Sequence, residues 1–362
     1  MQQTVLVVGA SGVVGTSAIH SFLREGWNVV GVSRRVPEID PVERFRHVSI
    51  DLLDTSDAAN RLQTLGPITH VVFAALSELP GLVAGWNDPA QMQINLDLLR
   101  HVIDPLTAKP GPLQHVSIMQ GTKAYGLHLH PMEIPARERS PRDPHPNFYW
   151  LQEDYLREKA AAHGFTYTIF RPQMVVGQAY GAAMNVAPVL GVYAALCREL
   201  GEPFGFPGGP SFVWEASDAR IVGNALEWAA RSPQARNETF NVTNGDVFEW
   251  RSLWPAIADT LGVPPAADRP MSLGRYLPTQ AAIWDRIVAK RGLRRIALPA
   301  LLGESHHVAD FCFASGAAQT PPPAFISAIK LRQAGFAEVV DTEAMFRYWI
   351  RSFIDRRIVP GP

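Results

Sequence analysis

Thr4-Val-Leu-Val-Val8-Gly9-Ala-Ser-Gly12-Val-Val-Gly15 is the stretch whose reading decides the fold. Four apolar residues, Val5–Val8, form a short buried strand that runs straight into three glycines, and a helical pattern, Ser17–Glu25, follows at once. Glycine in such a loop permits a tight turn and lets a pyrophosphate approach the backbone. The start of the helix then offers free N–H groups and the positive end of its dipole. The spacing is GxxGxxG rather than GxGxxG, and a glycine-rich turn with no ligand is the plain alternative. Its place between the first strand and the first helix favours phosphate binding, with Gly9, Gly12 and Gly15 as the cradle.

Outward from this turn the rhythm repeats. Apolar runs recur at Val29–Val32, Val48–Leu52, His70–Ala75, His115–Met119, Tyr167–Phe170 and Thr239–Val242, separated by helical stretches such as Ile94–Ile103, Tyr149–Ala162 and Asp218–Ala230. Strand alternating with helix predicts an α/β fold, a doubly wound parallel Rossmann sheet with helices on both faces. From about Gly177 the rhythm stops. Pro and Gly cluster at Gly201–Pro210, and Leu261–Pro323 is rich in Pro, Ala and Leu. These parts are expected to form a smaller irregular, mostly helical C-terminal substrate cap. The expected division is a core of residues 1–178 continued by 214–260, a cap of 179–213 and 261–335, and a segment 336–362 packing back on the core, with Pro321–Pro323 as a stiff connector.

Composition narrows the class. The chain has 362 residues, 19% of them charged, with a formal net charge of -1, so nothing in its charge points to nucleic acid or an anionic membrane. Its two cysteines, Cys197 and Cys312, make neither a disulfide framework nor a zinc pattern, which suits a reducing compartment. No signal peptide and no membrane-length apolar run are read, so a cytoplasmic location is expected, and the Asn-x-Thr triplets at Asn237 and Asn241 are read as chance. No metal is expected: His128, His130 and the pair His306-His307 lack accompanying ligands at metal spacing. Homodimerisation is left open.

The end of the second strand reads Gly31-Val-Ser33-Arg34-Arg35. An NAD enzyme places a carboxylate there to bind both ribose hydroxyls; two guanidiniums after a serine suit a 2′-phosphate instead, which makes NADPH/NADP+ the expected cofactor over the alternative of a solvated basic loop. Asp51-Leu52, closing the third strand, is a weaker candidate for the adenine, because Asp also begins turns.

Two tyrosines compete for the chemistry. Tyr155-Leu-Arg-Glu-Lys159 has the Tyr-x-x-x-Lys spacing that puts both groups on one helical face. Ligands of an open α/β sheet bind beyond the carboxyl ends of the strands, so a catalytic residue belongs on the first turn of the returning helix. Tyr155 would lie about 9 Å deeper, at ~1.5 Å per residue, and is read as packing, with Lys159 solvated. Tyr149, in Asn147-Phe-Tyr149-Trp-Leu-Gln-Glu153-Asp154, begins the helix; Glu153 stands four residues on, so the missing cation is sought in Lys123 of Gly121-Thr-Lys123-Ala-Tyr125-Gly126, after the fifth strand.

Asn147–Asp154 together with Lys123 resembles the progesterone 5-beta-reductase/iridoid synthase-like family of atypical extended short-chain dehydrogenases/reductases, whose pattern reads Asn-Phe-Tyr-Tyr-x-x-Glu-Asp and whose catalytic lysine comes from the strand-five loop. Val192–Gly201, Phe240–Phe248, Gly335-Phe336 and Asp341-Thr342 also resemble it, so the likeness spans nearly the whole chain. It departs at Trp150, in place of the second tyrosine, and at Gly126-Leu-His128-Leu-His130-Pro131, where plant members carry a pocket aromatic.

The resemblance implies Lys123 and Tyr149 as catalytic residues and Arg34 and Arg35 on the NADPH phosphate. It also implies cofactor contacts at Gly12, Val13, Val14, Asp51, Leu52, Ala74, Ala75, Met119, Tyr149, Val175, Ala182, Ala183 and Met184. His128, Asn185 and Trp214 are candidates for the substrate pocket, with core packing nearly as good an account. The expected activity is NADPH-dependent reduction of the activated C=C bond of a small hydrophobic enone or enal by 1,4-addition. The alternatives are 1,2-reduction of an aldehyde or ketone and a non-catalytic NADP-binding sensor. A sugar-nucleotide epimerase, which would use Tyr-x-x-x-Lys and NAD, is disfavoured by Arg34-Arg35.

Overall fold

The computed structural model describes residues 3–362. The chain forms two compact units. The first holds the chain up to Gln173 with Ala219–Thr243 and Ile326–Glu338; the second holds Met174–Asp218, Asn244–Phe325 and Val339–Pro362.

The first unit is built on strands β1 (Thr4–Val8), β2 (Asn28–Val32), β3 (Phe45–Val48), β4 (His70–Phe73), β5 (His115–Met119) and β6 (Thr166–Pro172). The second contributes the short strands β7 (Met174–Val176), β8 (Phe204–Gly205), β9 (Val213–Trp214) and β10 (Ala216–Asp218). The chain then supplies β11 (Glu238–Val242) to the first unit. Seven strands line up as β11-β6-β5-β4-β1-β2-β3, and every neighbouring pair is parallel. The central strands are apolar on both sides because both faces are covered. On one face α2 (Thr55–Gln63), α3 (Pro89–Thr107) and α4 (Phe148–His163) close a core that includes Leu62, Leu99, Leu156, Leu6, Val71 and Ile118. On the other lie α1 (Val13–Arg24) and, after α5 (Val186–Leu200) of the second unit, α6 (Ala219–Arg231). The two approach closely because Gly223 has no side chain: a Cβ there would stand 2.7 Å from the Ser17 carbonyl. The expected doubly wound sheet is the one found.

The direction of winding reverses between β1 and β4, since the chain builds outward through β2 and β3 and then crosses back. The glycine turn therefore sits at the switch point, where an open α/β sheet forms its crevice. The third strand differs from expectation. The pairing of β3 with β2 runs from Val29↔Phe45 to Val32↔Val48, and the apolar Ile50 and Leu52 come after it. Asp51 ends the run by accepting a hydrogen bond from Leu53 N–H at 3.1 Å. As an edge strand, Phe45-Arg-His-Val48 lacks the apolar signature of the central ones.

The second unit gathers around α5, which is apolar on nearly all sides and buried from Val186 to Cys197. Phe204 stacks on Trp254 at 4.7 Å, and Trp250 meets Phe313 and Phe346 edge-on at 4.7 and 5.4 Å. Its character as a mostly helical region is as expected, but its boundaries differ. Helices Trp250–Leu261 and Thr342–Asp355 were expected with the core; they pack on each other and on α5, since Met345, Phe346, Trp349, Ile350 and Phe353 turn their apolar stripe inward there. Conversely, 326–335, expected in the cap, lies with the first unit. Ile326 bridges Ala136, and the Lys330 ammonium reaches the Glu238 carboxylate at 2.6 Å. Among the described residues no helix is long and apolar enough to cross a membrane.

Candidate active site

The nucleotide end of the site is a matter of crowding. Gly9 has φ +85°, and a Cβ there would stand 2.7 Å from the Ala74 carbonyl carbon and 2.8 Å from the Ala75 nitrogen at the end of β4. A Cβ on Gly15 would fall 2.1 Å from the Gly9 carbonyl oxygen. Glycine is thus required at both positions. Gly12 caps α1 with backbone only and makes no side-chain cap hydrogen bond; the first-turn N–H groups of Val13, Val14 and Gly15 are of the kind that can receive an anion. Beside this turn, β2 ends in Ser33, Arg34 and Arg35. Ser33 Oγ donates to the Arg35 carbonyl at 2.6 Å, His47 Nε2 donates to the Ser33 carbonyl at 3.1 Å, and both arginine side chains are exposed. Leu52 is core and its carbonyl accepts from His101 Nδ1 at 2.7 Å. Met119 closes β5 half-buried.

The second cluster lies beyond the same edge of the sheet. After β5 the chain passes Gln120 and Gly121 into a 3-10 turn, Thr122–Tyr125, which Gly126 ends at φ +72°. Lys123 on that turn is held by three aromatic faces. Its Nζ stands 4.8 Å from the Trp86 ring centre, 5.3 Å from Phe148 and 5.8 Å from Tyr149, each worth ~0.5–2 kcal/mol according to how dry the site is. The Glu78 carboxylate lies 3.5 Å from the ammonium, with side-chain exposures of 13% for Lys123 and 5% for Glu78.

Tyr149 enters through the helix start. Asn147 is the N-cap of α4; its Oδ1 accepts from Tyr149 N–H at 3.1 Å and its Nδ2 donates to the Lys123 carbonyl at 3.2 Å. One side chain thereby ties the lysine turn to the tyrosine helix, and it is oriented in turn by His145, whose Nε2 accepts from Nδ2 at 3.1 Å while its Nδ1 donates to Asp143 at 2.6 Å. Gln120 Nε2 donates to the Tyr149 carbonyl at 3.3 Å. The phenol oxygen lies 3.3 Å from where a Gly121 Cβ would be, so glycine leaves it room.

Behind the tyrosine runs a buried polar network. Arg171 donates to Gln120 at 3.0 Å, to Tyr125 at 3.3 Å and to Glu153 at 2.7 Å, and Tyr125 O–H donates to Asn241 at 2.6 Å. Glu153, standing where a lysine would complete the commoner spacing, is therefore the counter-ion of Arg171. Asn241 is 0% exposed, which closes it to glycosylation.

Electrostatics assign the protonation states. Burial, then the Glu78 charge, raises the Tyr149 pKa above its ordinary value against the opposing pull of Arg171. The phenol keeps its proton and can donate a hydrogen bond. Burial lowers the Lys123 pKa and raises that of Glu78, and in both cases the partner opposes the shift. Burial pushes His128 down to about 4, helped by His145 and Lys123, so it is neutral near pH 7. Its ring stands edge-on to Trp86 at 5.8 Å and to His145 at 5.1 Å, close to the lysine cluster.

Tyr155 and Lys159 go elsewhere: both bind Asp104 of α3, at 2.8 and 2.6 Å. The remaining candidates belong to the second unit. Val175 lies in β7, and Ala182, Ala183 and Met184 precede α5, with the Ala182 carbonyl accepting from Ser305 Oγ at 2.9 Å. Asn185 Nδ2 donates to the Gly177 and Ala179 carbonyls at 2.8 and 2.6 Å, and Trp214 packs edge-on against Phe212 at 5.0 Å. Among the described residues no three His, Cys, Asp or Glu side chains assemble as metal ligands. Glu78, Trp86 and Arg171 had no motif to mark them, since each reaches the site from a distant part of the chain; Gln120 stands three residues before Lys123 but its own type carries no signal.

The sequence matches the PRISE-like Rossmann-fold domain over residues 38–299. An (S)-8-oxocitronellyl enol synthase of Camptotheca acuminata is 31% identical over 319 residues, covering 82% of this chain and 80% of that protein. The enzyme of the same name from Catharanthus roseus is 29% identical over 378 residues, covering 98% and 92%. Among solved structures, an epimerase of Methanothermobacter thermautotrophicus aligns with TM-score 0.68 at 16% identity, covering 98% of this chain and 92% of that one. A UDP-glucose 4-epimerase of Thermotoga maritima aligns with TM-score 0.65 at 15% identity, covering 98% and 99%. At such identities these structures speak for the fold alone.

Proposed function

The chain belongs to the progesterone 5-beta-reductase/iridoid synthase-like family and is an oxidoreductase of the short-chain dehydrogenase/reductase kind, and we propose that it reduces the activated C=C bond of enones or enals with NADPH. The observation that carries this reading is the pairing of a buried phenol O–H, Tyr149, with the Lys123 ammonium over its ring at the same sheet edge as the glycine turn. Held at the glycine turn, NADPH would supply the hydride that the β-carbon needs. As negative charge gathers on the substrate's carbonyl oxygen, Tyr149 O–H donates a hydrogen bond to it, and Lys123 adds positive potential without having to move. The α-carbon takes its proton from solvent. Relatives are named as enol synthases, and conjugate addition is the reduction that leaves an enol.

The cofactor assignment rests on the turn at Gly9, Gly12 and Gly15, where a side chain on Gly9 or Gly15 would collide with neighbouring backbone, with Val13 and Val14 offering N–H donors and Arg34 and Arg35 the charge for a 2′-phosphate. Ala74, Ala75 and Met119 would flank the bound dinucleotide at the ends of β4 and β5, and His128 would face the substrate. The test is product analysis with a small cyclic enone, run with NADPH and NADH in parallel. A saturated ketone formed preferentially with NADPH is expected. An allylic alcohol with the double bond intact would make the protein a carbonyl reductase, and equal rates with both nucleotides would remove the role of Arg34 and Arg35.

A further inference from the structure

A lysine that stabilises negative charge must hold its own positive charge in a site where water is scarce. Removing an ammonium from water is costly, and aromatic faces offset only part of the loss. Four elements face Lys123. Trp86 comes from the 3-10 segment Val83–Asn87, Phe148 and Tyr149 from α4, His128 from the loop that follows its own turn, and Glu78 from the loop after β4. The phenol is protonated and His128 is neutral. Arg171 of β6 acts on Tyr149 and has the same sign as the lysine, while Asp143, His145 and His130 act on His128; the carboxylate that acts on Lys123 itself is Glu78. Glu78 therefore supplies the compensating carboxylate, 3.5 Å from Nζ and itself almost wholly enclosed.

We propose that Glu78 is a positioning residue for Lys123: its carboxylate anchors the ammonium over the Tyr149 ring and keeps it charged, so the phenol–ammonium pair is assembled before substrate arrives. The ion pair is neutral as a whole, so the ammonium is held without an uncompensated buried charge. The consequence for activity rests on the reading of Lys123 and Tyr149 as the catalytic pair; the consequence for the lysine itself does not.

The test follows Lys123 directly. In protein labelled at lysine Cε, its NMR signal is assigned with Lys123→Arg and titrated from acid to alkaline pH in the wild type, Glu78→Gln and Glu78→Asp, beside the pH profile of kcat for enone reduction. Glu78→Gln keeps the shape and removes the charge. The expected result is that the Lys123 titration falls by about one pH unit or more. The alkaline limb of kcat falls with it, the other lysines stay put, and Glu78→Asp restores most of both. The wild type gives a reading that needs no variant: the Lys123 signal should show a second, acid inflection where Glu78 takes up its proton. An unmoved Lys123 titration with kcat lowered equally at all pH, or a wild-type signal with a single inflection, overturns the proposal. A shifted lysine titration in a protein with no enone turnover supports the ion pair's role and removes the reductase reading instead.

Discussion

At the scale of single residues, the site separates groups that act from groups that hold. In the proposed mechanism Tyr149 is the donor, so Tyr149→Phe should keep the fold and nucleotide affinity and lose about 10²–10³-fold in kcat, the usual loss for one oxyanion donor; steady-state kinetics beside an NADPH fluorescence titration separates the two. Asn147 holds. It caps α4 and ties Tyr149 N–H to the Lys123 carbonyl. Asn147→Ala should cost about 1 kcal/mol in stability from the lost cap, and in addition lower kcat by more than it changes KM, because both acting groups lose a shared anchor. A thermal melt and a kinetic assay on the same preparation check this; unchanged kcat with a lowered melting temperature would reduce Asn147 to a cap alone.

At the scale of elements, the proposed cofactor site hangs on the glycine turn. The carbonyl of Gly9 is packed against the start of α1 so closely that Gly15 cannot carry even a methyl group: its Cβ would stand 2.1 Å from that oxygen, and Gly9 is itself wedged against Ala74 and Ala75. Gly15→Ala should therefore push the turn off the end of α1, weaken NADPH binding by at least ~10-fold, since a 1.4 kcal/mol distortion already does so, and lower the melting temperature. Gly12, whose Cβ would meet only the Gly9 carbonyl at 3.2 Å, should tolerate alanine better. Comparing the two variants by isothermal titration decides whether backbone crowding or glycine content as such makes the site.

Across the whole molecule, pH should act through two histidines buried at the strand ends remote from the glycine turn. His70 Nε2 donates to the Ala230 carbonyl at 3.1 Å, its ring stands 4.7 Å from Trp27 and 6.2 Å from His115, and burial lowers the two pKa values to about 4 and about 3. In the unfolded chain both titrate near the ordinary ~6.5. Between those values the unfolded state binds more protons, so stability rises with pH there. The contribution is complete above about pH 6.5 and is lost as pH falls toward 4, by up to roughly 3 kcal/mol for His70 alone at about 1.4 kcal/mol per unit. Urea midpoints measured from about pH 7.5 down to about pH 4.5 should fall steeply for the wild type and less steeply for His70→Gln; parallel slopes would show that carboxylates alone govern the acid side.

Periodicity and glycine placement determined the parallel sheet and the position of the glycine turn, because these follow from local rules: apolar runs of strand length, a turn that only glycine can make, and a helix start facing it. The motif around Asn147 located Tyr149 on the first turn of its helix, and Lys123 after β5, for the same reason: both sit where the chain leaves a strand or enters a helix. Local pattern could not say that Glu153 serves Arg171, that Asp104 gathers Tyr155 and Lys159 away from the site, or that Glu78 and Trp86 enclose Lys123. Nor could it say that helices Trp250–Leu261 and Thr342–Asp355 join α5 rather than the sheet. Each of those depends on which distant side chain fills a buried space. That choice is made by packing and by the need to pair every buried charge, and neither leaves a signal along the chain.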